Sequence, residues 1–446
     1  MALGNVIIKD VDGNLPYAAS ASNEKITGLL FDVSGQPDLF TAGYGKSNEM
    51  NVAPGDVICI TSRKSSVQDF GIQERVACDP DEEANENFLF GIPAYHIREF
   101  FRMGGNIDGP GRLYVMFADC SQNWDALDVM QRAADGLISQ GGIWTEQPLW
   151  KLNGEQEKYN LNLVKGINDK AVALAELNQP LSVVLCANPG NTGSDTEEAK
   201  VIDLNRIPSA ICESRTSVIF GQARNDQNAT IQSRNPNHTP VGFLGAVMGA
   251  LAKASVHESI AWVRQFNLFA DDFQQIELGF GDLTLDAEDE FVSTNLYESL
   301  SPVLLDELDD KGYIFPIKYS GRENGIYISK DQTCSNGDYR TIARNRTINK
   351  SRRAVREALL PYLHSPLMVN PATGFLAPSK ITAFKTLIGD ILAKMQAAQE
   401  ISGYAVTIDP NQNVLVDDTL RISYVILPVG VAVKIYVEEG LSLTAK

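Results

Sequence analysis

Short, continuous apolar runs alternate with helical patterns from Lys25 onward. The runs at residues 26–33, 57–61, 113–117, 181–187 and 217–220 have the length of strands and little internal polarity. Between them, residues 93–103, 124–139, 168–178 and 242–254 carry the 3.6-residue repeat of helices. This order predicts an α/β to α+β chain of several domains. The polar, Asn/Gln/Pro-rich stretches 148–159 and 225–240 read as long surface loops.

The last hundred residues have the sharpest pattern. A helix of roughly five turns is predicted over 341–360, with Ile348, Val355 and Leu359 on one face and Pro361 just past its end. A second is predicted over 379–401, with Ser379 as its N-cap and Gly403 beyond it. Tyr404, Val406 and Ile408 then alternate, Asp409-Pro410-Asn411 turns the chain, and Leu420, Ile422, Tyr424 and Ile426 alternate again up to Pro428. In the closing segment Val429, Val431, Val433, Ile435 and Val437 fall on one face of an extended strand. Such a strand needs a sheet to join, because an open edge with an apolar face invites aggregation. At the other end, Val6, Ile7, Ile8 and Lys9 form a short apolar patch within an arm whose remainder is turn-rich and polar.

Composition narrows the function. A formal charge of −18 over 446 residues argues against a nucleic-acid or anionic-membrane partner. No apolar stretch approaches the roughly 18 residues of a membrane span, and the N-terminus lacks a signal-peptide core. The six cysteines, at 59, 78, 120, 186, 212 and 334, show no C-x-x-C spacing and read as reduced, mostly buried thiols.

Motifs of chemistry are near misses. Gly45-Lys46-Ser47 ends like a phosphate-binding loop, but Phe40 replaces the required glycine, and His257-Glu258 lacks a second histidine at Ala261. Asp10 to Asn14 resembles a calcium loop, yet Leu15 and Ala21 occupy its glycine and glutamate positions. The four histidines are far apart, so no catalytic or metal-binding residue and no cofactor is expected.

One local inversion stands out. Between Arg340 and Arg356 there are seven basic residues and no acidic one, and Arg346, Lys350 and Arg353 share a helix face. The stripe either is neutralised by the protein's own acids or meets an acidic partner; nucleic acid fits less well because interleaved aromatics are lacking. The terminal strands leave a parallel choice between exchange with neighbouring subunits and pairing within their own chain.

Three segments resemble the contractile tail sheath family of phages and related injection particles. They are Tyr95 to Gly105 leading into Leu113-Tyr114-Val115, Asn324 to Tyr327 continuing through Asp338 to Arg346, and the closing strands from Gly403 to Val437. The resemblance implies a non-enzymatic structural subunit. It would stack as hexameric rings around an inner tail tube protein, bind baseplate and tail terminator proteins, and contract to drive the tube through a cell envelope. The expected partners exclude nucleic acid and direct membrane contact. The expected location is a virion tail or a contractile particle assembled in a bacterial cytoplasm.

The resulting division is an N-terminal arm (1–25), an α/β part of the core (26–140), an outer divergent α/β domain (141–320), an assembly domain (321–427) and a C-terminal arm strand (428–446). The assembly domain would hold helices and a mixed sheet completed by exchanged strands. Val6 to Lys9 and Val429 to Val437 are the expected linking arms, and Arg346, Lys350 and Arg353 the candidate tube-facing residues. The alternatives are an α/β hydrolase-like enzyme with a carboxylate site and a non-contractile virion protein; a measured particle mass separates the enzyme from the polymer.

Overall fold

The computed structural model describes residues 24–34, 52, 54–70, 72, 88–104, 112–153, 156–159, 161–188, 204–234, 239–278, 284–285, 291–292, 295–437 and 439. Its centre is a seven-stranded sheet. The strands are β1 (Thr27–Asp32), β2 (Val57–Ile60), β3 (Leu113–Ala118), β4 (Gln140–Pro148), β5 (Ser182–Asn188), β6 (Ser217–Ile219) and β7 (Tyr313–Ile314), in the spatial order β7-β6-β5-β4-β1-β3-β2. All neighbours pair in parallel except β2, which runs antiparallel to β3 at one edge. Every residue of β1, β3 and β5 is buried, which is why these strands read as unbroken apolar runs.

Helices cover both faces. Adjacent residues of β1 point opposite ways: Gly28 faces Met130 of α2 (Ala126–Ala133), while Leu29 lies on the face of α4 (Leu244–Lys253), where Met248 packs over Gly142. Helix α1 (Phe88–Gly104) crosses α4 with backbones nearly touching, since a Cβ on Gly245 would sit 2.1 Å from the His96 carbonyl oxygen. Helix α3 (Leu161–Glu176) lies beside α2, with Gly166 against Trp124.

At the carboxyl end of β1, the buried Asp32 carboxylate accepts hydrogen bonds from the Cys120 amide (2.9 Å), the Thr145 hydroxyl (2.6 Å), the Gln147 side chain (2.7 Å) and the Ser34 amide (3.1 Å). This is where an open α/β sheet usually holds a ligand. Here the acid clips together the ends of β1, β3 and β4.

The C-terminal part adds α5 (Ile342–Leu359), α6 (Pro378–Ala397) and a hairpin of β8 (Ile401–Thr407) and β9 (Ser423–Pro428). A second core gathers Ala354, Val355, Ile388, Leu392, Met395 and Ile401 around Val256, which follows α4. No described helix is long and apolar enough to cross a membrane.

Several expectations change. The boundary expected between residues 140 and 141 falls inside β4, which pairs with β1 on one side and β5 on the other. The sheet therefore joins both expected domains, and its large core continues as far as Ile342. Residues 148–159 contain a small ladder of Trp150–Asn153 with Gln156–Tyr159, and 225–240 contain the helix Asp226–Arg234. Ala377, not Ser379, is the N-cap of α6, because Pro378 takes the first helical position, where a missing N–H costs nothing. Val6, Ile7, Ile8 and Lys9 lie outside the described residues.

Candidate assembly interface

Helix α5 starts at Thr341, whose side chain accepts from the Arg344 amide at 3.2 Å. Asp331, upstream in the strap leading to the helix, also serves this end. Its backbone oxygen accepts from Ile342 (3.1 Å) and its carboxylate from the Ala343 amide (3.2 Å), satisfying two first-turn N–H groups. Burial pushes the Asp331 carboxyl up to about 7, although the Ala343 hydrogen bond and the Arg346 and Arg344 charges pull the other way.

The basic face of α5 turns inward. Arg346 is 1% exposed and donates to the Ala254 and Ser255 carbonyl oxygens at 3.2 and 3.4 Å. These oxygens lie at the C-terminal end of α4, where unpaired carbonyls and the helix dipole favour a cation. Burial lowers the Arg346 guanidinium to about 10, still charged at neutral pH. Lys350 pairs with Glu400 at 2.5 Å. Arg353 holds both Glu24 oxygens at 2.8 and 2.9 Å and donates to the Pro180 carbonyl.

The three residues share a face, as their spacing predicts, but that face is covered by this chain's own elements. The expectation of a surface stripe facing the tube is corrected accordingly. Glu24 and Glu400 supply the neutralising charge, from positions about 330 residues before and 50 after their partners. Neither stood out in the sequence, because contacts that distant leave no periodic signal.

The hairpin packs Tyr404, Val406, Ile422, Tyr424 and Ile426 against the α5–α6 core, and the Tyr424 hydroxyl meets Ser351 Oγ at 3.2 Å. It is a two-stranded sheet among the described residues, so β8 and β9 each have one edge without a strand. Pairing ends at Pro428, opposite Ile401.

Beyond Pro428 the expected strand is not formed within the chain. Residues 429–437 are in no strand, and Val431, Val433, Ile435 and Val437 are exposed, from 51% to 82%. A strand exists only through a partner's hydrogen bonds, and the alternation of valines specifies a face without supplying that partner.

Residues 156–332 match the N-terminal domain of DUF2586 and residues 338–446 its C-terminal domain. No curated protein matches the sequence. Among solved structures, a chain of the anti-feeding prophage baseplate is similar with a TM-score of 0.53 at 14% identity, covering 99% of this chain and 100% of that one. A chain of the PVC sheath complex, an extracellular contractile injection system in its contracted state, gives 0.50 at 13% identity, covering 99% and 98%. The anti-feeding prophage baseplate in its contracted state gives 0.50 at 12%, covering 99% of each chain. These likenesses establish a contractile-sheath fold over nearly the whole chain.

Proposed function

From a chain that belongs to the DUF2586 family and has the fold of contractile-sheath proteins, we infer a structural subunit that polymerises as hexameric rings stacked around an inner tube. Contraction is a bistable repacking of subunit interfaces and needs no reaction at a catalytic site. Val429 to Val437 would add a strand to a neighbour's β8–β9 hairpin, and Val6 to Lys9 would do the same from the other terminus. Main-chain hydrogen bonds of such added strands tie subunits together while the linkers absorb rotation. The inner tube, the baseplate and a tail terminator are the partners of this reading, and the location is a contractile particle or phage tail.

The observation that supports it most is the apolar arm beyond Pro428, solvent-exposed and next to a sheet that has only two strands among the described residues. A hairpin alone is marginal in water and gains stability from a third strand. The test is particle mass and negative-stain imaging of the full chain and of a chain ending at Pro428. Rings or tubes from the former and a folded monomer from the latter are expected. A small closed oligomer from the full chain would overturn the sheath reading; tubes from both would overturn strand exchange alone.

A further inference from the structure

The joint between the two family-matched parts carries a thiol pair. Cys334 lies in the short connection between residues 332 and 338. It is buried, whereas Cys212 is half-buried. One backbone hydrogen bond joins them directly, the Cys212 amide donating to the Cys334 carbonyl, and a second holds Cys334 to the same segment, its amide donating to the Thr216 carbonyl, each at 2.9 Å. The two side chains are themselves hydrogen-bonded. We propose that Cys212 and Cys334 form a reversible disulfide, with Cys212 as the attacking thiol and Cys334 as the resolving one.

The chemistry separates this pair from the other described cysteines. The Cys334 side chain, helped by the Ser214 amide and the Lys165 charge, holds the Cys212 thiol below the usual thiol range although burial opposes it. Burial pushes Cys59 and Cys120 up, and Cys186 up to about 12. A lower thiol pKa in an accessible place makes the nucleophile of thiol–disulfide exchange.

The oxidant is a low-molecular-weight disulfide. The Cys212 thiolate attacks one of its sulfurs, the S–S bond breaks, and the first small thiolate leaves and takes up a proton. Cys334 then attacks the Cys212 sulfur, its thiol proton passing to the second small thiolate as that leaves. Two protein thiols are oxidised and one small disulfide is reduced to two thiols.

The crosslink would fasten a strap. Residues 331–334 bond on one side to 212–216, beside β6, and on the other to the start of α5, through Asp331 to Ile342 and Thr333 to Arg340. Oxidation therefore makes covalent the attachment of α5 to the body, and it adds a constraint across a long loop, which favours the folded state.

The test treats the full-length protein with oxidised glutathione and maps the peptides without reduction. A linked Cys212–Cys334 peptide, no retained glutathione and a thermal midpoint raised by a few degrees are expected. Cys334→Ser should trap glutathione on Cys212, and Cys212→Ser should leave Cys334 unmodified. Both thiols staying free in the wild type, or glutathione persisting on Cys212 there, would overturn the proposal.

Discussion

Lys350 and Glu400 form an ion pair of 2.5 Å with both side chains about nine-tenths buried, joining the middle of α5 to the residue before β8. The pair holds the hairpin to the helix that itself docks on the sheet body. Replacing one member leaves the other charge buried and uncompensated, a loss of about 3–5 kcal/mol. Lys350→Met should therefore lower the urea midpoint strongly, and adding Glu400→Gln should restore most of it. Equal instability of the single and double variants would show that the pair is not coupled.

Asp331 makes stability depend on pH. Its carboxyl is raised from 3.8 to about 7 in the folded chain, so the native state binds the proton more tightly than the unfolded one. The contribution is fully present below the unfolded value and is lost as pH rises through about 7. Asp331→Asn keeps an acceptor for the Ala343 amide and removes the titration. The variant should gain on the wild type by on the order of 2–4 kcal/mol between pH 4 and pH 8, read from urea unfolding at both ends. A constant difference across that range would refute this.

Glycines separate close packing from free space. A Cβ on Gly245 would meet the His96 backbone at 2.1 Å, whereas one on Gly389, within α6, would make only ordinary contact with Tyr404 at 3.7 Å. Gly245→Ala should cost about 3 kcal/mol or more, because neither helix backbone has room to give way. Gly389→Ala should stabilise by roughly 0.5–1 kcal/mol through helix propensity. Thermal melts of the two variants should move in opposite directions.

Charges in the arm test assembly without disturbing the subunit. Val433 and Ile435 are 69% and 80% exposed, so Val433→Asp with Ile435→Asp should change monomer stability by less than about 0.5 kcal/mol. Polymer formation, measured by sedimentation, should be lost. Tubes that persist with both aspartates would argue that the arm does not add to a neighbour's sheet.

Much of the architecture was legible because its signals are local. The buried strands at 27–32, 113–118 and 182–188, the helix at 342–359 and the hairpin closing at Pro428 each follow from runs, repeats or turn residues a few positions apart. The misplaced division at residue 140 has the opposite origin: β4 belongs between β1 and β5 through pairings with sequence partners far away. Burial in a parallel sheet marks each strand as an apolar run, but nothing in the run says which distant strand it pairs with.

The sequence by itself determined that Arg346, Lys350 and Arg353 share one helix face and that Val431, Val433, Ile435 and Val437 share one side of an extended segment, since periodicity fixes relative direction. Only the tertiary structure decided where those faces point. The basic face lies against α4 carbonyls, Glu24 and Glu400, because desolvated cations need partners and these are brought by distant segments. The valine face meets solvent, because this chain supplies it with no neighbouring strand among its described residues.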